Sequence, residues 1–516
     1  MSNWDFGYVT DTVYTNQFYR ETTPSWLATA ALLLGHRPPD LTRPFRYVDL
    51  GCAHGFSAIT VAATCPHAEV WGFDFNPAHV ESARHLADRA GLTNIHFEEA
   101  SFADIAARPA GALPEFDFIV SHGVLSWISP ENQQELINIV GQRLRPGGLA
   151  YLSYNVTTGW AGMVPLRALM YMLSAATPER SDASVSGVLE FIEKMKGAGA
   201  AFFNTYPALE NRLRDMRGHD PRYIAHEYLN RDWHPMMFAD VATTMKEARC
   251  TYIGSATLSE NIDAVSVPQG MIPLMAEAKE PLLRETLRDF GSGQGFRRDL
   301  YRRGVAPLSA AEHQQLLQDL TIAWTGQAPG EQVTISTPLG QLTGRPEIYR
   351  PLLAMLEAGP VSVRAAAASQ PFAGRSVLEL LQAMTLLIAG GFAHPVLPGS
   401  DAPASRESAA RLNSAIAHMN GHGGDLGRLV LPTLGSAMNV DLLETLAIGE
   451  LLAGRPSDIP SLTTAVAAGL ARSGRSVQRE GQVVTDPAQT REIIGGVLQN
   501  LLERRIPILR SLGVVA

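Results

Sequence analysis

Cysteine is scarce in this chain, with three in 516 residues. Cys52, Cys65 and Cys250 are odd in number and lack the paired spacing of a metal knuckle, which excludes a disulfide framework and points to a reducing compartment. Each reads as a small buried side chain, with a catalytic thiol as the alternative. There is no basic block either: 42 Lys and Arg face 51 Asp and Glu, a net charge of −9 spread along the sequence. Nucleic-acid binding driven by phosphate contacts is therefore disfavoured. Long apolar runs are also missing, since LATAALLLG, 27–35, is far short of the ~20 residues that cross a bilayer. The amino terminus, MSNWDFGYVTDTVY, has no basic segment followed by an apolar core of signal-peptide length. These absences lead to the expectation of a cytoplasmic protein without membrane attachment.

Metal-ligand patterns fail on inspection. His226 and Glu227 begin an H-E-x-x-H motif, but Asn230 stands where the second histidine belongs. His418 and His422 are four apart, yet Gly421 and Gly423 interrupt the helix that would align them. No metal is assigned.

What is present is a run of alternating strands and helices. RYVDLGCAHGFSA, 46–58, reads as a short strand, a turn bearing Gly51 and Gly55, and a helix, the arrangement by which a doubly wound sheet offers a nucleotide site. The glycines let backbone approach a ligand closely. Asp49 lies two residues before the first of them, and Asp74, followed by Phe75, ends the next strand where a carboxylate meets ribose hydroxyls. The spacing Gly-x-x-x-Gly with an adjacent acid would repel a pyrophosphate and suits a ligand carrying an ammonium and a sulfonium, S-adenosylmethionine. An ordinary tight turn is the alternative for the loop taken alone.

The pattern continues through IHFEEA, FDFIVSHG, a helix over 131–144 and LAYLSYN, giving five strands in βαβ units with a parallel sheet. LRPGG, 144–148, ends a helix and carries no chemistry. Residues 161–250 read as a mostly helical interruption, with TYIGSA, 251–256, as a return strand. The stretch RETLRDFGSGQGFRRDLYRRG, 284–304, reads as a solvated helical face. Gly and Pro in WTGQAPGEQ mark a boundary near 323, followed by a winged-helix-like pattern whose longest helix, SVLELLQAMTLLIAGG, is too apolar to read a major groove. LPGSDAPAS, 397–405, is a second linker, and the tail is helical. The expected units are 1–160, a Rossmann-like α/β core with an amino-terminal cover; 161–322, a helical insert and regulatory region; 323–400, winged-helix-like; and 401–516, helical. The aromatics Tyr8, Tyr14, Phe18 and Tyr19 either cover a cofactor, with Tyr14 counted among its contacts, or form an arm packed on the core.

HGVLSW (122–127), SYNVTTGW (153–160), HEYLNRDWHP (226–235) and YIGSATLSEN (252–261), in this order, resemble the bacterial class I methyltransferases that carry a methyltransferase regulatory domain, among them rickettsial outer-membrane-protein lysine methyltransferases. The resemblance covers residues 8–305 and extends in outline to the carboxyl third. It implies S-adenosylmethionine as cofactor, S-adenosylhomocysteine as product, and protein lysine as acceptor. The insert and carboxyl modules would then bind the substrate or a second copy in a homodimer. Two departures stand out: Thr158 replaces a proline common in relatives, and Ser101 and Phe102 stand where many methyltransferases place an acid for adenine. Ser101 would hydrogen-bond there and Phe102 would stack.

Methyl transfer from a sulfonium is an in-line displacement, so alignment and water exclusion are the main requirements. If the acceptor is lysine, its deprotonation costs ~4 to 5 kcal/mol near neutral pH unless burial lowers its pKa. Trp127, Tyr154 and Trp160, after the fourth and fifth strands, are expected at the sheet edge to hold a cationic amine. His122 is placed at the strand-four edge beside the cofactor. Glu227 would orient the amine or take its proton, or else serve as a surface or capping residue; Tyr206 is a further candidate. Two rivals stay open: a small-molecule N- or O-methyltransferase of secondary metabolism, and a non-catalytic scaffold that binds the cofactor.

Overall fold

The computed structural model describes residues 6–12, 16–304, 307–327, 330, 332–479 and 482–515. Seven strands form the central sheet: β1 (Arg46–Leu50), β2 (Glu69–Asp74), β3 (Ile95–Glu99), β4 (Phe116–Ser121), β5 (Leu144–Asn155), β6 (Cys250–Ser255) and β7 (Phe296–Arg303). Their order is β3-β2-β1-β4-β5-β7-β6. The first five run parallel, and β7 inserts antiparallel between β5 and β6. Strand β4 is buried along its whole length, as an apolar run covered on both faces requires.

Helices α1 (Pro24–Leu33), α2 (Phe56–Thr64), α3 (Pro77–Arg89), α4 (Phe102–Ala106) and α5 (Pro130–Arg143) surround this sheet. Their starts are written locally. Asn76 caps α3 by accepting from the Ala78 N–H, and Ser129 caps α5, each ahead of a proline in the first turn, where the missing N–H costs nothing. Gly51 and Gly55 adopt φ of +79° and +69°. A Cβ on Gly51 would stand 2.5 Å from Val124 and one on Gly55 2.5 Å from Phe97. Positive φ and packing thus both require glycine at these turns.

The stretch 284–304 departs from its sequence reading. A helix, Pro281–Ser292, stops at Gly293 with φ +64°, and the following residues form β7, an interior strand second from the sheet's edge. The charges that suggested a solvated face neutralise one another inside: Arg297 pairs with Asp289 at 2.5 Å and Asp299 at 2.8 Å. Its guanidinium also lies 4.2 Å from the Phe238 ring centre. Buried charges are tolerated when paired in this way. Sequence periodicity cannot reveal such pairing, because the partners come from different elements.

Between β5 and β6 the chain is helical, including the helices Met163–Ala175, Ser181–Gly197 and Pro221–Tyr228, which share one apolar cluster with Val9. Beyond β7, β8 (Thr321–Trp324) pairs antiparallel with Val361–Ser362 and with Ala393–Pro395. The carboxyl third is anchored to the core. The helix Pro403–Asn420 packs on α2 and α3, with Arg411 donating to the Ala90 carbonyl at 3.2 Å. In α1, buried Ser25 donates to the Leu434 carbonyl at 2.7 Å and Trp26 to the Ala256 carbonyl at 2.7 Å. Among the described residues, no helix is long and apolar enough to cross a membrane.

Candidate active site

A single cleft at the carboxyl ends of β1, β2 and β4 gathers most of the residues singled out from sequence. Asp49, Gly51, Gly55, Asp74, Phe75, Ser101, Phe102, His122 and Trp127 all line it. With the open solvent at its mouth it spans about 1260 Å³ of empty space. The location follows from topology: β1 and β4 part where the strand order reverses, leaving a crevice above their ends.

Asp74 organises the glycine loop. One carboxylate oxygen accepts from the Ala53 N–H at 2.8 Å; the other accepts from Asn76 N–H at 2.9 Å and lies 3.2 Å from His79 Nδ1. Three of its roughly four acceptor positions are thereby used. Burial, reinforced by the neighbouring charge of Asp74, pushes Asp49 up to about 7. Two close carboxylates resist simultaneous ionisation, so the cleft favours a cation.

The walls are aromatic. Tyr19 stacks on His122 at 3.6 Å between ring centres, and Phe6 and Tyr8 meet Phe75 edge-on at 5.9 and 6.0 Å. His122 Nδ1 is 2.7 Å from the Tyr151 hydroxyl. Burial, and secondarily Arg298, holds its pKa well below the usual histidine value, leaving a neutral ring at physiological pH. Tyr8 and Tyr19, two of the four amino-terminal aromatics, do reach the cleft, whereas Phe18 packs on Phe56 at 5.8 Å. Tyr14 lies outside the described residues.

Other expected residues are placed elsewhere. Tyr154 is fully buried and donates to Asp299 at 2.6 Å, joining the charge network of β7 instead of the sheet edge. Tyr154 stands one residue before the end of β5, but its side chain turns onto the face that meets β7 and Asp299. Tyr206 is 38% exposed after the helix Ala201–Thr205, off the cleft lining. Trp160 donates to the Gly295 carbonyl at 2.7 Å and has Arg212 3.9 Å from its ring centre; that ring face is already taken by a cation. Ser101 lines the cleft, but its hydroxyl donates to Asp104 at 2.6 Å in a capping box at the start of α4. Its proton is therefore committed to the helix start. Thr158 donates to the Gln294 carbonyl at 2.9 Å, tying this loop to the entry of β7.

Glu227 is half-buried, and enclosure pushes it up to about 7. It is not on the cleft lining, but Tyr8 is, and burial, then the charges of Glu227 and Asp74, raise the Tyr8 pKa. Asn230, in the place of a second histidine, accepts from the Val9 N–H at 2.8 Å. It pins the amino-terminal strap across the cleft.

Phe6, Asn16, Gln17, His54, His79, Val124 and Asn132 also line the cleft and were not anticipated. His79 carried a readable signal, five residues after Asp74 and one turn into a capped helix. Phe6, Asn16 and Gln17 carried none of their own, since only tertiary packing brings them over the loop beside the anticipated Tyr8 and Tyr19.

The comparisons with known proteins agree with this architecture. A methyltransferase domain model matches residues 42–185, and a model described as a predicted methyltransferase regulatory domain matches 220–303. An uncharacterized protein of Synechocystis sp., sll1526, is 32% identical over 511 residues, covering 99% of each chain. A second uncharacterized protein, RP789 of Rickettsia prowazekii, is 26% identical over 293 residues, 56% of this chain and 51% of its own length. Among solved structures, PKMT2 from Rickettsia typhi, in complex with AdoHcy, superposes with a TM-score of 0.71 at 20% identity, covering 96% of this chain and 99% of that one. Full-length similarity to the cyanobacterial protein, the two domain models in sequence order and the cleft at the strand ends lead to one conclusion: the chain belongs to the S-adenosylmethionine-dependent methyltransferases that carry a methyltransferase regulatory domain.

Proposed function

We propose that the chain methylates lysine side chains of a protein. The observation that carries this reading is the pairing of an acidic, aromatic-walled cleft with a second carboxylate, Glu227, whose pKa of about 7 suits it to receive a proton. The donor set fits the cofactor. Asp49 and Asp74 would offer negative charge to an ammonium and a sulfonium, and Phe75 and Phe102 would flank a flat base. The resemblance to rickettsial lysine methyltransferases and the AdoHcy carried by PKMT2 support the same reading.

Bound S-adenosylmethionine supplies a methyl group on a positively charged sulfur, open to displacement by a neutral amine. The protein's part is placement and proton removal. Asp49 would hold the amino-acid end, and Asp74, already fixed by the loop it organises, has an acceptor position left that would suit a ribose hydroxyl. Phe102 and Phe75 would cover the base, with Ser101 offering backbone beside it while its hydroxyl caps α4. The strap bearing Tyr8 and Tyr19 closes the cleft and excludes water, which strengthens every charge interaction inside. Trp127 faces the incoming amine with a ring suited to a cation. Glu227, off the cleft lining, would draw the ammonium proton away through the Tyr8 hydroxyl or a water.

Purified protein incubated with methyl-labelled cofactor and a cell lysate tests the reading. Label recovered in methyl-lysine after acid hydrolysis of macromolecules is the expected result. Label only in small metabolites would transfer the reading to a small-molecule methyltransferase, and no label at all would favour a cofactor-binding scaffold.

A further inference from the structure

Among the described residues, several buried N–H donors have nothing to donate to. Arg167, in the helix Met163–Ala175, is 5% exposed, and among the described residues its Nε and Nη2 have no hydrogen-bond partner. Its Nη1 makes one long contact, 3.4 Å to the Arg231 carbonyl. Trp233, 5.7 Å from that guanidinium, is 7% exposed with its indole Nε1 unpartnered. Asn155 Nδ2 and Trp127 Nε1 share this condition at 2% and 7% exposure.

These side chains come from four segments that hydrogen bonds hold together. The His234 N–H donates to the Ser126 carbonyl at 2.7 Å, Asn155 N–H to Ser126 Oγ at 2.8 Å, and Met236 N–H to the Asn155 carbonyl at 2.8 Å. Trp127 links the group to the cleft, which it lines. On the other side, Arg231 donates to the Phe6 and Gly7 carbonyls at 3.0 and 2.8 Å, so the strap at the cleft is tied to the segment that carries Trp233.

A buried guanidinium normally has a carboxylate beside it, because burying an unpaired charge is costly. Arg167 has none within ion-pair distance among the described residues. Asp232, the acid that acts on it, is held by Arg231 at 2.9 Å and lies 3.6 Å from His234. Burial lowers the Arg167 pKa to about 10, which leaves it charged at neutral pH. Its two unpartnered nitrogens are the side-on fork that matches the two oxygens of a carboxylate.

We infer that Arg167 and Trp233 form a carboxylate-binding subsite for the methyl acceptor, linked to the cleft through the segment that carries Trp127. The subsite selects acceptors that carry an acid near the methylated group. On the lysine reading, on which this part rests, that acid is a Glu or Asp side chain beside the target lysine; on the rival reading it belongs to a small carboxylic acid.

Calorimetry on the full chain tests the subsite without reference to activity, using glutarate, its neutral diamide and inorganic phosphate as probes. Saturable heat with glutarate, none with the diamide, and loss of the signal in Arg167→Met are expected. Trp233→Phe should weaken glutarate several-fold. Should Arg167→Met melt early, Arg167→Lys keeps the charge without the fork and should weaken glutarate about fivefold at an unchanged melting temperature. Equal heats from glutarate and the diamide, preference for phosphate, or wild-type titration of both Arg167 variants would overturn the proposal.

Methyl transfer to paired lysine peptides, one with Glu beside the lysine and one with Gln, then separates the sources. A tenfold higher kcat/KM for the Glu peptide, abolished in Arg167→Met, supports a protein acid. Glutarate binding through Arg167 with neither peptide labelled would leave the subsite standing and remove the lysine reading.

Discussion

Asp49 is the residue through which pH should reach the cofactor. Burial and the nearby charge of Asp74 raise it to about 7, so in the ligand-free protein half of the molecules carry it protonated at that pH. A ligand whose ammonium and sulfonium sit beside it favours the carboxylate, and binding should therefore release a proton. The sign follows directly: affinity is greatest above pH 7 and declines as pH falls through that value. From pH 7 to pH 6 the ionised fraction drops from about one half to about one eleventh, so the dissociation constant should rise roughly fivefold, about 1 kcal/mol. Over that interval an α-amino group stays protonated at its ordinary pKa of ~7.7 to 8.0, so the ligand contributes little to the change. Calorimetry in buffers of different ionisation heat reads both the affinity and the proton released. Asp49→Asn should bind more weakly and without this pH dependence. A dissociation constant that stays flat from pH 6 to 7 in the wild type, or one that keeps the same slope in Asp49→Asn, would refute the reasoning.

Glu227→Gln should lower kcat and remove the acid limb that a base with a pKa of about 7 imposes on the pH–rate profile; a profile that keeps that limb excludes Glu227 as the proton acceptor. Tyr154→Phe removes the 2.6 Å hydrogen bond to buried Asp299 and should cost ~1 to 3 kcal/mol in denaturant unfolding with the KM for acceptor unchanged. A kinetic loss without a stability loss would place Tyr154 in the chemistry after all. Gly51→Ala puts a Cβ 2.5 Å from Val124 at φ +79°; a lowered melting temperature and weaker cofactor binding are expected, and wild-type values for both would contradict the packing argument. Arg428 donates to the Asn16 carbonyl at 3.4 Å and Arg20 to the Ala389 carbonyl at 3.1 Å, so the carboxyl third grips the segment that lines the cleft. Arg428→Ala should speed cofactor release severalfold in stopped flow, and an unchanged release rate would show the grip to be idle.

The nucleotide-site end of the cleft was legible because its signals are local. Strand, glycine turn, helix and strand-ending acid follow one another within about thirty residues from Arg46 to Phe75, and each has a backbone reason readable from residue type. Asp49, Gly51, Gly55, Asp74 and Phe75 therefore meet in space as their spacing implied. The turn glycines proved to answer to Val124 and Phe97 as well as to left-handed backbone, a constraint invisible without the neighbouring elements.

What the tertiary structure decided involves partners far apart in the chain. The charges of 284–304 describe a solvated helix and a paired interior strand equally well until Asp289, Arg297 and Asp299 are brought together. The placement of Tyr154 and Trp160 likewise depends on β7 lying against β5, because that neighbour supplies the groups their side chains bond. Local propensity and hydrophobic period determined the βαβ order, the caps and the cofactor-side turn. Which polar groups stay unpaired at Arg167 and Trp233, which strap covers the cleft and which acid stands behind Tyr8 were decided by long-range packing, since hydrogen-bond satisfaction is a property of the whole fold.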